Sequence, residues 1–563
     1  MIKKLFIILI VIVSIGNQSK AQTWQWAKSG NGTSLDEGNA VATDKSGNVF
    51  ITGYFQSPTL TFGTYTLTNA GSGDVYIAKY DANGNVLWAK RAGGSVGDEG
   101  NAVCADATGN VFLTGYFQSP TITFGTYTLT NAGTNPNIFI AKYDPNGNVL
   151  WAKHAGGTGD DEGISVSSDV AGNVFVTGWF FSPTITFGTY TLTNVDTVDV
   201  FIVKYDANGN VLWAKSGGGH AQVEGGSVST DAAGDVFLTG GFLGHTLTFD
   251  TYTLASAGSA DVFIAKYDAN GNVLWAKRAG GTGDEGGCSA STDVSGNVFI
   301  TGQFQSSTLS FGTYTLTNIG TDENVFIAKY DANGNVLWAK SVGAPGAISG
   351  VGAIGYAVSA DTIGNAYITG GFSSPTIIFD TYTLTAPLPL GSTDPMFVVK
   401  YDANGNVLCA SSLASGGDDQ NGVSADRFGN AYITGDFAVN PFILGSNTLT
   451  LTGGENIFVA KWEANCSRAS IEQITNSNEV SIYPNPASSS LQVTFAGNIQ
   501  NTIIEVYNTI GECVYRQTIQ PTPSPSKEGT SAAIDVSNLA EGVYNISIIS
   551  SVGVVNKRLV IVR

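Results

Sequence analysis

The chain has 563 residues, only 13 % of them charged, with 71 glycines and a formal net charge of −19. That balance excludes a nucleic-acid binder, which needs a basic patch to neutralise phosphates. An apolar content of 42 % excludes disorder and leaves room for more than one core.

The first element is a leader. Lys3 and Lys4 precede the apolar run LFIILIVIVSIG (5–16), and Ser19-Lys20-Ala21 offers small residues at a cleavage site. This reads as a secretory signal peptide over 1–21, cut after Ala21. No later segment holds 18 continuous apolar residues, so no transmembrane segment is expected in the mature chain.

From residue 22 the chain repeats itself. GNVFITG (47–53) returns as GNVFLTG (109–115), GNVFVTG (172–178), GDVFLTG (234–240), GNVFITG (296–302) and twice as GNAYITG (364–370, 429–435). The Asp opening each preceding turn recurs at spacings of 62, 63, 62, 62, 68 and 65 residues. Four strands are predicted per unit. In the first unit they are GNAVATD, VFITGYF, DVYIAKYD and NVLWAK, joined by D-x-x-G and D-x-N-G turns. Between the second and third lies an 18-residue insert, QSPTLTFGTYTLTNAGSG (56–73). It reads as a hairpin with a Gly-Thr type II′ turn. Without the insert a unit is about 44 residues, the length of a four-stranded propeller blade.

The fourth strand, NVLWAK, follows six units, with Cys409 in the Trp place of the sixth, but it is missing after the seventh. An orphan copy, TWQWAKSG, stands at 23–30. The expectation is an all-β fold: a seven-bladed β-propeller over 22–466, closed by the N-terminal strand pairing into the last blade.

These units resemble the SBBP repeat, a seven-bladed β-propeller family, and more loosely the NHL propeller. The motif A-V-x-x-D-x-x-G-N-V-F-x-T-G followed by FIAKYDANGNVLWAK carries the resemblance. It implies a secreted setting and offers no ligand or catalytic residue to transfer.

Residues 467–478 read as a polar linker and 479–563 as a small Ig-like β-sandwich. The segment resembles the type A sorting domain of the type IX secretion system. The matching features are Tyr483, Pro484, Asn485 and Pro486, then Gly542 and Tyr544, then Lys557 and Arg558. The resemblance implies type IX secretion machinery as a partner and a secreted or outer-surface location.

Function is expected on the face that carries the inserted hairpins and the variable loops leading into each unit. Those loops hold acidic pairs: Asp36-Glu37, Asp98-Glu99, Asp160-Asp161-Glu162, Glu224, Asp284-Glu285 and Asp418-Asp419. A ring of such carboxylates could hold Ca²⁺ or a cationic ligand, with Asp98, Glu99, Asp160, Asp161, Glu162, Asp284 and Glu285 as the ligands. The plainer reading is solvated turn residues that cap strand starts. Tyr54, Tyr116 and Trp179 follow the T-G word, vary around the ring, and are the expected ligand contacts. The five cysteines read as small buried hydrophobes, with a Cys409–Cys466 disulfide as the alternative.

Catalysis finds little support. G-x-S-x-G and H-E-x-x-H are absent, and His154, His220 and His245 share no ligand spacing. Arg91, Arg278 and Arg427 are too few to converge on an anion, and Gly350–Gly355 matches G-x-G-x-x-G without a following helix. The near-identity of the first three units favours repetitive binding or scaffold over one asymmetric site. The expected function is therefore a non-catalytic binding or adhesion protein with a glycan or protein ligand and no obligatory cofactor. The alternatives are a propeller enzyme acting on extracellular polysaccharide, or a purely structural surface component.

Overall fold

The computed structural model describes residues 23–131, 133–219, 221–320, 322–343, 352–387, 395–414, 422–463, 480–495, 502–508, 513–519, 531–550 and 553–562. The signal peptide and the 467–478 linker lie outside the described residues. The chain divides into two compact units, one of which runs from Lys20 to Cys466 and the other of which contains Ser467–Arg563.

The larger unit is all-β. Its first strand, β1 (Thr23–Gly30), is followed by β2 (Asp36–Thr43), β3 (Val49–Phe55), β4 (Thr59–Phe62), β5 (Tyr65–Thr68), β6 (Asp74–Tyr80) and β7 (Val86–Ala92). Strands β2, β3, β6 and β7 pair in that order as one antiparallel sheet, and β4 with β5 form a separate hairpin. Five further sheets repeat this pattern, with innermost strands Asp98–Ala105, Asp161–Ser168, Ala221–Thr230, Glu285–Thr292 and Ala353–Ala360. Each innermost strand touches the next, and the last of the ring, Gly422–Ala425, touches β2. The four-stranded sheets therefore form a closed, propeller-like ring.

The last sheet is completed from the other end of the chain. β1 pairs with Asn456–Glu463, with Ala27 opposite Ala460 and Gly30 opposite Ile457. This is the pairing that the displaced repeat requires.

Alternation sets each core. Phe55, Leu60, Phe62, Tyr76 and Tyr80 are fully buried and pack with Trp26 of the neighbouring sheet. Fully burying one such side chain is worth about 1.5–3 kcal/mol. The hairpins turn through a two-residue loop whose first residue has positive φ, as a type II′ turn demands: Gly63 at 58°. Two repeats put Asp250 and Asp380 there, at 49° and 50°, the sort of residue that tolerates the left-handed region.

The turn face of the ring is spent on structure. Trp88 donates its indole N–H to the carbonyl of Pro145 in the next unit, 3.1 Å away. The same bond joins Trp151 to Ala207, Trp213 to Ala269, Trp275 to Ala332 and Trp338 to Ala403. A Cβ on Gly147, two residues beyond Pro145, would lie 2.9 Å from the Trp88 ring, so the turn needs glycine for space as well as for its φ of 80°. Lys142, Lys204, Lys266 and Lys329 are buried, each near the Asp of its own unit's first turn and above a Phe ring. The lysines of the AKY word are thus scaffold.

Cysteine corrects one expectation. Cys104 and Cys288 form no disulfide, but Cys409 is disulfide-bonded rather than a mere small hydrophobe. Cys466, the partner considered from the sequence, lies outside the described residues.

The smaller unit has two sheets. Val480–Tyr483, Ser490–Phe495 and Ser531–Asp535 form one, and Cys513–Ile519, Thr502–Tyr507, Gly542–Ser550 and Gly553–Ile561 form the other. Leu491, Val493 and Ile534 from the first meet Ile504, Val506, Ile546 and Leu559 from the second in one core.

Candidate functional site

The site is built at the hairpin face, where each innermost strand begins. The first residue of that strand is acidic in four units and is not solvated. Asp98 is 1 % exposed and accepts from the Ser119 hydroxyl (2.7 Å), the Ser119 amide and the Gly94 amide. Asp36 and Asp161 hold Ser57 and Ser182 in the same way. Glu285 accepts from the amides of Gly281 and Ser306. Burial raises these carboxyls above the ordinary range, Asp98 to about 6, against the hydrogen bonds that lower them. These four are braces between the entry loop and the hairpin, which corrects their reading as solvated caps. Asp160 and Asp284, just before Asp161 and Glu285, are exposed. Among the described residues, no group of three or more His, Cys, Asp or Glu is placed to hold a metal ion.

The second residue is half-buried and pairs across the sheet with the residue after the T-G word. Glu37 accepts from the Tyr54 phenol (2.5 Å), and Glu99 from Tyr116 (2.9 Å) and from Asn39 (2.9 Å). Glu162 stands opposite Trp179, which has no phenol to donate. Burial, Glu99 and Asp160 together push the Glu162 carboxyl up to about 7. Glu224's side chain and Asp418-Asp419 lie outside the described residues.

A bulge follows in each of the first six units, where one extra residue shifts the strand register. Such bulges re-aim a side chain next to sites. The bulge residues are Asn39, Asn101, Ile164, Gly226, Cys288 and Tyr356. The first two are alike, the other four differ in kind, and all six line an axial channel.

The repeat is broken on one side of the ring. Where three units place Tyr54, Tyr116 and Trp179, the next three place Gly241, Gln303 and Gly371. Where they place Glu37, Glu99 and Glu162, the fifth unit has Gly286. The result is a cleft of about 750 Å³ lined by Trp179, Phe181, Leu243, Asp284, Gln303 and Glu323 among others. Ile164, Gly226 and Cys288 line both cleft and channel, so the two are continuous. Trp179 and Phe181 meet edge to face at 5.4 Å and 89°.

Of the expected contacts, Trp179 therefore lines the cleft, while the Tyr54 and Tyr116 hydroxyls are engaged with Glu37 and Glu99. The opening lies where the repeat degenerates, outside the near-identical first two units. Arg91 and Arg278 are absent from it, being paired with buried Asp74 and Asp261.

In the smaller unit, Tyr483, Pro484, Asn485 and Pro486 are exposed, Tyr483 at 78 %. Asn485 Oδ1 accepts from the Val560 amide, tying this ridge to the last strand. Gly542 opens the strand on which Tyr544 is buried, its hydroxyl donating to Ala540. Lys557 is half-buried and Arg558 lies opposite Asn545 in the ladder.

Residues 481–562 match the secretion system C-terminal sorting domain. The chain carries a type IX sorting tail. That tail marks the protein for secretion, for dealings with the type IX machinery and for attachment at the cell surface. Elsewhere the likenesses are distant. The uncharacterized WD repeat-containing protein L264 of Acanthamoeba polyphaga mimivirus is 24 % identical over 506 residues, covering 74 % of this chain and 36 % of that protein. The regulatory protein FlaEY of Caulobacter vibrioides is 22 % identical over 308 residues, 49 % of this chain and 30 % of that one. The chain thus spans about a third of the length of these curated relatives. A DUF4221 protein from Bacteroides vulgatus superposes with a TM-score of 0.30 at 8 % identity, over 79 % of this chain and 98 % of that chain. A WD-repeat relative agrees with the propeller-like sheets seen here. No membrane-length apolar helix occurs among the described residues.

Proposed function

We propose that this protein is a non-catalytic binding or adhesion protein at the cell surface, built as a seven-bladed propeller of SBBP type with an Ig-like sorting tail. Its ligand, a glycan or a protein, enters on the hairpin face. One observation carries the reading: the cleft opens where repeat positions filled by Tyr54, Tyr116 and Trp179 are vacated at Gly241, with aromatic walls and a few convergent polar groups. The turn face, by contrast, is filled with inter-unit bonds and leaves little to bind with.

The test applies the purified full chain to a broad glycan array and to extracts of surface protein, with calcium and with chelator. Saturable capture lost in the Trp179→Ala variant supports the reading. No capture in either condition turns it toward a structural role.

A hydrolytic reading keeps one support. A carboxyl raised toward neutrality beside a tryptophan, as Glu162 is beside Trp179, suits a general acid. Release of reducing ends from extracellular polysaccharide, abolished by Glu162→Gln, would favour it over binding.

A further inference from the structure

We infer that the cleft receives an arginine-bearing basic segment of a protein partner, with the guanidinium against Trp179 and Asp284. This rests on the binding reading above and names its ligand chemistry.

The cleft is not a by-product of the fold. A Cβ on Gly241 would find no atom nearer than 3.7 Å, so the backbone tolerates the aromatic residue that other units carry there. The T-G glycines differ: a Cβ on Gly53 or Gly115 would lie 2.0 Å from a backbone oxygen. Gly53 and Gly115 are needed for packing, whereas the backbone at Gly241 leaves room for a side chain.

The walls select a cation with an apolar stem. Trp179 and Phe181 make a right-angled aromatic corner, and Leu243 and Val198 extend the apolar surface. Asp284 is exposed and lines the cleft, and Glu162 is the cross-strand neighbour of Trp179, with Asp160 close enough to act on its carboxyl. Among the described residues, no Lys or Arg lines the cleft. An anionic glycan would meet only like charge there, in a chain of net charge −19. Arginine matches each part: its stem covers apolar surface, its plane stacks on indole, and its fork pairs with a carboxylate. A pocket of this kind, apolar with a charged rim, is the usual seat of an interface anchor.

The probe is fluorescein-labelled nona-arginine, titrated by polarisation into the full chain, with nona-lysine as the comparison. We expect saturable binding at one site per chain. Gly241→Trp, which fills the cleft, is expected to weaken it at least ten-fold with an unchanged unfolding temperature. Trp179→Ala should do the same and Asp284→Asn should weaken it several-fold. Asp250→Asn removes one charge at a hairpin turn away from the cleft and should change nothing. Absence of saturable binding, indifference to Gly241→Trp, an equal loss in Asp250→Asn, or nona-lysine binding as tightly as nona-arginine would each overturn the assignment. Glycan capture without nona-arginine binding would also overturn it while leaving the binding reading in place.

Discussion

Trp26 donates its indole N–H to the carbonyl of Ala82, 3.1 Å away, across the junction between the last sheet and the first. The tryptophan comes from the N-terminal strand and the carbonyl from a turn 56 residues later. It is the same bond that five other tryptophans make to the next unit, so the closure is chemically the same joint as those five.

Loss of one such joint should be costly. Trp88 is 7 % exposed and packs on Tyr143 and Phe50. Trp88→Ala is expected to lower stability by about 3–5 kcal/mol through lost burial and cavity. Trp88→Phe, which keeps an aromatic ring and forfeits the hydrogen bond, should cost less, about 1 kcal/mol from that bond. Urea unfolding of both variants separates the two contributions.

Removing Thr23–Gly30 would leave Asn456–Glu463 as an unpaired edge and uncover Trp462. Exposed edges recruit other chains. The shortened chain is expected to melt lower and to self-associate, as read by light scattering on a sizing column; a monomer with an unchanged melting temperature would refute closure by this strand.

Asp199 is fully buried, and burial raises its carboxyl to about 6. Its counterparts Asp74 and Asp261 have arginine partners, and the second unit uses Asn137. A raised carboxyl is best tolerated protonated. Its contribution to stability is therefore greatest below the unfolded value near 4 and falls as pH rises through 6. Asp199→Asn should raise stability at pH 7.5 by roughly 1–3 kcal/mol, since a tenfold change in proton affinity on folding is worth about 1.4 kcal/mol. The gain should shrink as pH falls toward 4. Calorimetric melting across that range checks the sign.

Glu162 should titrate near 7, because burial and the charges of Glu99 and Asp160 oppose its ionisation, with the Tyr116 phenol close by. Glu99→Gln removes one of those charges and should shift the midpoint downward. Carbon-13 NMR of the side-chain carboxyl reads both midpoints directly; an unmoved midpoint would mean that Glu99 is not the neighbour that matters.

Cys409 stands where five other units place the clasping tryptophan. In the repeat register Cys466 aligns with the glycine on which that tryptophan packs, so peptide mapping under non-reducing conditions is expected to recover Cys409 joined to Cys466. Recovery of Cys409 with Cys513 instead would refute the register argument.

Much of the fold was legible because it is local and repeated. Period-two alternation, the D-x-N-G turns and the orphan TWQWAKSG define seven units and a displaced strand without reference to any neighbour. The YPNP word likewise identifies the tail. The candidate site was legible only in part. Trp179 could be singled out because it varies within a constant word. The acidic braces misled, since a carboxylate in a loop reads as solvated, and only the hydroxyls and amides of Ser57, Ser119 and Ser182 folding back on it remove it from water.

What the sequence by itself determined is the repeat, its strand order, its point of closure and its route to the cell surface. Each rests on spacing along the chain. What only the tertiary structure decided is the cleft. Trp179, Gly241 and Gly286 belong to three different units, and a vacancy at Gly241 becomes an opening only because the packing of successive innermost strands sets those units side by side. A missing side chain has no chemistry of its own; the neighbours that fail to fill its space decide whether it is a gap or a site.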